Sequence, residues 1–161
     1  MPVRRPDNSA AFYHEARRFL YTPAMGRLVR VKREVITAML AEARLEPAFE
    51  CCGLLAGRGG VITTVLSAHN ALASPTAFDI DPAELFRLFH RMRLDGLDHL
   101  GIYHSHPTGE NAPSRSDIAS AYYPDAAYFI LSPILGAQKS VRAFSIRDAH
   151  VQELEIEVLE S

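Results

Sequence analysis

Apolar and polar residues recur with two different periods along this chain, and the switch between them marks out its elements. Over residues 31–43, Val31, Val35, Ile36, Met39 and Leu40 fall at helical spacing with Arg and Glu opposite, which predicts an amphipathic helix. From Cys51 the period shortens. Gly53-Leu54-Leu55-Ala56 and Val61-Ile62-Thr63-Thr64-Val65-Leu66 are apolar, partly β-branched runs flanking Gly57-Arg58-Gly59-Gly60, the pattern of a hairpin. That glycine-rich link lacks the spacing and the Lys-Ser/Thr of a phosphate-binding loop, so it is read as a turn and no nucleotide site is expected.

Residues 77–80 read as a short strand, and a helix is expected from 83 to about 94. Asp81 would cap it, Pro82 would take its first position, Leu85, Leu88, Phe89 and Met92 would form its buried stripe, and Gly96 would end it. Further strands are expected over 99–104, 127–131, 141–146 and 151–159, with another helix starting near Ser114. In the last strand Leu154, Ile156 and Val158 alternate with Glu153, Glu155 and Glu157, as in a strand with one wet face. The sum is an α+β domain, a mixed sheet flanked by helices, without an internal repeat. Residues 1–27 mix arginines and prolines around a short stretch at 10–20 with some helical character, and read as an extension to a domain spanning 28–161.

Length and composition narrow the function. A chain of 161 residues suits one globular domain, and 48% hydrophobic with 22% charged residues is far from the signature of disorder. A formal charge of −2 leaves no positive field for a phosphate backbone, which argues against nucleic acid as a partner. Cys51 and Cys52 are adjacent, a spacing that seldom allows a disulfide, and nothing resembles a secreted framework. They are read as small core hydrophobes. No apolar run has the length of a membrane span or the layout of a signal peptide, so no membrane association and a cytoplasmic location are expected.

The chemistry concentrates in residues 104–117, His-Ser-His-Pro-Thr-Gly-Glu-Asn-Ala-Pro-Ser-Arg-Ser-Asp. On an extended backbone, residues two apart face the same side, so His104 and His106 can aim both imidazoles at one point. A loop bounded by Pro107 and Pro113 can return the next helix so that Asp117 supplies a carboxylate oxygen. Two imidazoles and a carboxylate suit a catalytic zinc site, in which three protein ligands leave a fourth position for water. Peptide hydrolysis also needs a base, and Glu50, at the border of the apolar run that follows it, would be partly desolvated and raised in pKa. Ser114 could direct its hydroxyl at a developing oxyanion.

Each residue alone has a plainer explanation. A His-x-His on a strand is more often a surface or core pair, Ser114-x-x-Asp117 is a helix capping box, and Glu50 would serve equally as a charge at an element boundary. Their joint order changes the balance. Glu50, then His104-Ser105-His106-Pro107, then Ser114 and Asp117 resemble the motif of the JAMM metalloprotease family, also called the MPN domain. The runs at 50–55 and 70–78 and Tyr122-Tyr123-Pro124-Asp125 are also similar to it, over roughly residues 28–159, most closely to its small stand-alone bacterial branch.

The resemblance implies a cytidine-deaminase-like MPN fold, one zinc ion on His104, His106 and Asp117, Glu50 as general acid and base, and Ser114 as oxyanion support. It also implies a substrate: a peptide or isopeptide bond after the C-terminal Gly-Gly of a ubiquitin-like sulfur-carrier protein, cut to release cysteine or a tail residue. An isopeptidase acting on lysine-linked conjugates and a non-catalytic Gly-Gly-tail binding module are the alternatives. A Gly-Gly tail is thin enough to be added as a strand along a sheet edge, and the segments 70–76 and 108–112 are expected to line its channel. His14, His69, His90, His99 and His150 are read as structural or surface residues, with His69 the nearest to the expected rim.

Overall fold

A computed structural model of the protein describes residues 28–160. The N-terminal extension, its helical stretch and His14 therefore lie outside the described residues. The elements run β1 (Leu28–Lys32), α1 (Arg33–Leu45), β2 (Cys52–Arg58), β3 (Val61–Ala68), α2 (Pro82–Leu94), β4 (Asp98–Ser105), α3 (Arg115–Ala119), β5 (Ala127–Leu131), β6 (Val141–Arg147) and β7 (His150–Leu159).

The strands pair in the order β1-β3-β2-β4-β5-β6-β7, and β7 returns to pair with β1, so the sheet closes. It is mixed: β1 runs parallel to β3 and β7, and β4 parallel to β5, while the other pairs are antiparallel. β2 and β3 form the expected hairpin around Gly59 and Gly60, whose φ values of 59° and 75° are the left-handed geometry that glycine adopts without strain. Each described strand has a neighbour on both sides, but β1 meets β3 only at Val61 and Ile62, so over residues 63–68 β3 has β2 alone as its strand neighbour.

Both faces of the sheet are covered, which is why β2 and β5 are buried almost throughout rather than alternating. Leu55, Tyr103, Phe129 and Leu131 meet Val35, Met39 and Ala43 of α1 in one core. Their sequence neighbours Leu54, Ile102, Tyr128 and Ile130 point the other way and pack with Met92 of α2 in a second. Tyr103 also ties α1 to the sheet, its hydroxyl donating to Glu42 Oε2 at 2.6 Å. α2 begins as its sequence requires, with Asp81 Oδ1 accepting from the amides of Ala83 at 2.9 Å and Glu84 at 3.2 Å, and Pro82 at its first position. Met92 is its fully buried residue, while Leu85, Leu88 and Phe89 are half-buried against the same core.

Two element boundaries differ from expectation. Val31 lies in β1, not in the first helix, because residues 28–32 are drawn into parallel pairing with β7. Residues 77–80 form no strand. Their backbone polar groups are instead engaged from within the segment, Asp79 accepting the Ala71 amide at 2.9 Å and Ala77 accepting from the Asn70 side chain at 3.0 Å.

Candidate metal centre

β4 delivers the first candidate ligand, His104, as its strand ends. His104 is 2% exposed, and the parallel pairing with β5 continues one step past the strand through the His106 amide, which donates to the Leu131 carbonyl at 2.9 Å. That continuation keeps the backbone extended, so the two imidazoles share a side with Nε2 atoms 3.0 Å apart. Ser105 faces the opposite way, and its hydroxyl accepts the Cys51 amide at 2.9 Å.

Asp117 arrives from the first turn of α3. Its Oδ1 lies 3.3 Å from His104 Nε2 and its Oδ2 3.3 Å from His106 Nε2. The capping box also forms: the Ser114 amide donates to Asp117 Oδ2 at 2.7 Å, and the Asp117 amide donates to Ser114 Oγ at 3.1 Å. The plainer explanation of Ser114 and Asp117 is thus true of the geometry. It does not compete with the chemical one, since the cap is what fixes the carboxylate where both imidazoles meet it.

Charge follows from these placements. Burial pushes Asp117 up, but the two imidazoles and the Ser114 amide outweigh it and hold the carboxyl well below the usual range. Burial dominates at His104 and lowers it, so its ring is neutral near pH 7. Burial also works against charge on His106, but Asp117 and the Glu110 carbonyl outweigh it and raise its pKa. Glu110 supplies more than charge. Its carbonyl oxygen can only accept, so His106 Nδ1 carries the hydrogen in their 2.7 Å bond and Nε2 of the neutral ring is the nitrogen available to a cation.

The three side chains can place one donor atom each within 4.8 Å of one another, the arrangement a single cation needs. Converging acceptors with no fixed donor between them are costly unless a cation or proton sits among them, and the His104 Nδ1 atom has no partner of its own. Glu50 stands beside this cluster. Its Oε1 is 4.0 Å from His106 Nε2, its side chain is almost fully buried, and Oε2 has no hydrogen-bond partner. Burial pushes its carboxyl up from 4.5 to about 7, with His106 opposing and Asp117 reinforcing the shift. The structure therefore gathers His104, His106, Asp117, Glu50 and Ser114 in one place.

A cavity of about 570 Å³ opens from the His104 and Asp117 side of the cluster. Leu72, Phe78, Ile80, Leu54, Tyr122 and Tyr123 are among its lining residues. Of the two segments expected to line a channel, the one at 70–76 contributes Leu72, whereas none of residues 108–112 reaches this cavity. Of those residues Glu110 meets the site through its carbonyl on His106, while the Asn111 side-chain amide donates to the Lys139 carbonyl at 2.8 Å. His69 is exposed and is not one of the clustered residues, its amide donating to Glu84 Oε1 at 3.1 Å. His99 is half-buried beside Phe89 and Tyr123, and that burial lowers it to about 4.

Phe78 was not singled out from the sequence. Its ring stacks on His104, with centroids 4.6 Å apart and planes at 25°, and shields one face of that imidazole. Ser105 was likewise unassigned, although strand alternation between two ligands already places it on the opposite face. Cys51 and Cys52 are free thiols; burial raises them to about 11 and about 12. Neither is an activated nucleophile.

Residues 32–147 match the family described as prokaryotic homologs of the JAB domain. The chain belongs to that family. It is 33% identical over 132 residues to the CysO-cysteine peptidase of Mycobacterium tuberculosis, covering 81% of this chain and 90% of that one. It is 38% identical over 92 residues to the desampylase of Haloferax volcanii, covering 55% and 66%. Among solved structures, a Desulfitobacterium hafniense protein is similar with a TM-score of 0.74 and 33% identity, over 83% of this chain and 94% of the other. A JAB1/MPN domain protein from Archaeoglobus fulgidus is similar at a TM-score of 0.55 and 19% identity, over 82% and 97%, a likeness of fold alone. The MPN fold implied by the sequence motif is thus the fold of this JAB-family domain, whose relatives are peptidases.

Proposed function

We propose that this protein is a zinc metallopeptidase that hydrolyses the bond after the C-terminal Gly-Gly of a small ubiquitin-like sulfur carrier, releasing cysteine or another tail residue. The observation that carries the reading is the convergence of His104, His106 and Asp117 beside a buried, partner-poor Glu50. The donor set is that of catalytic rather than structural zinc: two imidazoles and one carboxylate, with no thiolate. When bound there, zinc supplies Lewis acidity, lowering the pKa of a water to about 7 and polarising the scissile carbonyl.

The remaining work falls to this chain's own groups. Glu50, with a carboxyl near pH 7, is suited to take a proton from the attacking water and return it to the leaving amine. The Ser114 hydroxyl accepts the Asp117 amide and keeps its own hydrogen for the oxyanion, with Ser116 Oγ at 2.9 Å as its resting neighbour. The cavity beside His104 and Asp117 is the place proposed for the end of the tail. Support for the substrate comes from the peptidase relative named for a CysO-cysteine conjugate. The domain assignment, 28–161 preceded by an extension, belongs to the same reading. So does a cytoplasmic site of action, supported by the free thiols and by the absence, among the described residues, of a helix long and apolar enough to cross a membrane.

The desampylase relative favours one alternative, removal of a ubiquitin-like protein from lysines. Incubating the zinc-loaded protein with a carrier–cysteine adduct and, separately, with a lysine-linked conjugate distinguishes the two by product mass. Loss of one cysteine mass from the adduct is expected. Cleavage of the lysine conjugate alone would replace this reading by the alternative, and cleavage of neither would leave a binding module.

A further inference from the structure

Glu50 precedes β2 and belongs to no strand or helix, so no regular ladder fixes its backbone. Two bonds hold it on the side of the segment 70–79: its amide donates to the Ser74 carbonyl at 2.9 Å, and its carbonyl accepts from Asn70 Nδ2 at 3.0 Å. Asn70 is 8% exposed, and its side chain uses its whole hydrogen-bonding capacity. The second Nδ2 hydrogen goes to the Ala77 carbonyl at 3.0 Å, and Oδ1 accepts from the amides of Leu72 at 3.1 Å and Asp79 at 3.2 Å.

We propose that Asn70 is a positioning residue for Glu50, clasping the backbone of the base to the segment that forms the cavity wall. This role rests on the one proposed for Glu50. Three of the four Asn70 bonds fold residues 70–79 onto themselves, and the fourth fastens that folded segment to Glu50. The same segment carries Leu72 into the cavity wall and Phe78 onto the His104 ring. It needs such a brace: it contains no strand or helix, and Ala73 sits at a φ of 43°, a left-handed conformation unfavourable for a residue with a Cβ. One amide side chain therefore sets the place of the base and of the substrate wall together, and neither can shift without breaking a buried bond.

Asn70→Asp and Asn70→Ala separate this role from a general structural one. An ionised aspartate keeps the two acceptor contacts that fold the segment, but loses both donors, including the bond to Glu50. Placing a base an ångström or so off its position costs about 100-fold in rate, so kcat is expected to fall about 30- to 100-fold in both variants with zinc content unchanged. In a Glu50→Asp background, where the base is already displaced, Asn70→Ala should lower kcat less than about threefold. Equal losses in the two backgrounds, or an aspartate variant with parental kcat, would overturn the proposal.

Hydrogen exchange provides a second test that needs no substrate, and so distinguishes failure here from failure of the proposed function. In the zinc-loaded full chain, Asn70→Ala should strip protection from the Glu50, Leu72 and Asp79 amides while β4 and α1 keep theirs. A Glu50 amide as protected as in the parent would overturn the proposal whatever the protein cleaves.

Discussion

Replacing Glu50 by glutamine separates what this side chain costs the fold from what it does for the reaction. Burial raises its carboxyl from 4.5 to about 7 in the metal-free protein. Because the folded value lies above the unfolded one, the native state holds the proton more tightly. The associated stability is complete below pH 4.5 and is lost as the pH rises through 7. At about 1.36 kcal/mol per pH unit, the loss reaches about 3 kcal/mol at pH 8 but stays under about 1 kcal/mol at pH 5. Glutamine has the same length and never ionises. The stability of metal-free E50Q relative to the parent should therefore improve by about 2 to 3 kcal/mol between pH 5 and pH 8. Urea unfolding of both proteins in EDTA at the two pH values measures it, and comparing the change with pH cancels the fixed cost of burying an amide. The same variant, loaded with zinc, should turn over about 10²- to 10⁴-fold more slowly. If the two proteins lose stability with pH in parallel, burial does not raise the Glu50 carboxyl; if E50Q retains parental turnover, Glu50 is not the base.

Two further outcomes follow from the geometry. Asp117→Asn keeps an oxygen for the Ser114 amide and so preserves the cap of α3 while removing the charge. Zinc affinity by competition with a chelating dye should fall by more than the about 10- to 100-fold that loss of an outer partner costs, with the far-UV spectrum unchanged. Gly53→Ala tests the packing behind the site: a Cβ there would lie 2.5 Å from the Leu66 carbonyl oxygen and 2.6 Å from the Tyr103 ring. It should destabilise the protein by about 1 to 3 kcal/mol, read as a lowered Tm; an unchanged Tm would mean that both the β3 backbone at Leu66 and the Tyr103 ring are free to move aside.

The candidate metal cluster was legible because its geometry is local. Strand alternation alone brings His104 and His106 to one side, and the spacing from Ser114 to Asp117 specifies the helix turn that presents the carboxylate. Glu50 was legible only through the motif as a whole, since its approach to His106 depends on β2 pairing with β4, with Cys52 opposite His104. What escaped reading was non-local or irregular. Val31 fits the helical period of residues 35–40, and nothing within a dozen positions reveals that it opposes Val158 in a parallel ladder. Residues 77–80 have strand-like composition, yet their hydrogen bonds are taken by Asn70, a competition that composition cannot register. Asn70 itself carries no charge, lies on no periodic face and reveals its role only once its four partners are in place.

The seam between β1 and β7 has a consequence for how the protein is made. Among the described residues β7 is the last of seven strands to leave the ribosome, and it pairs both with β6 and, in parallel, with β1, the first of them. Until it emerges, both of those neighbours present bare backbone, and α1 with the Glu50 turn hangs from a strand that lacks its main partner. Such long-range pairing slows folding and exposes sticky intermediates to other nascent chains. Truncations within residues 150–159 should therefore be felt first as poor yield from cells, before any purified sample could reveal a catalytic defect.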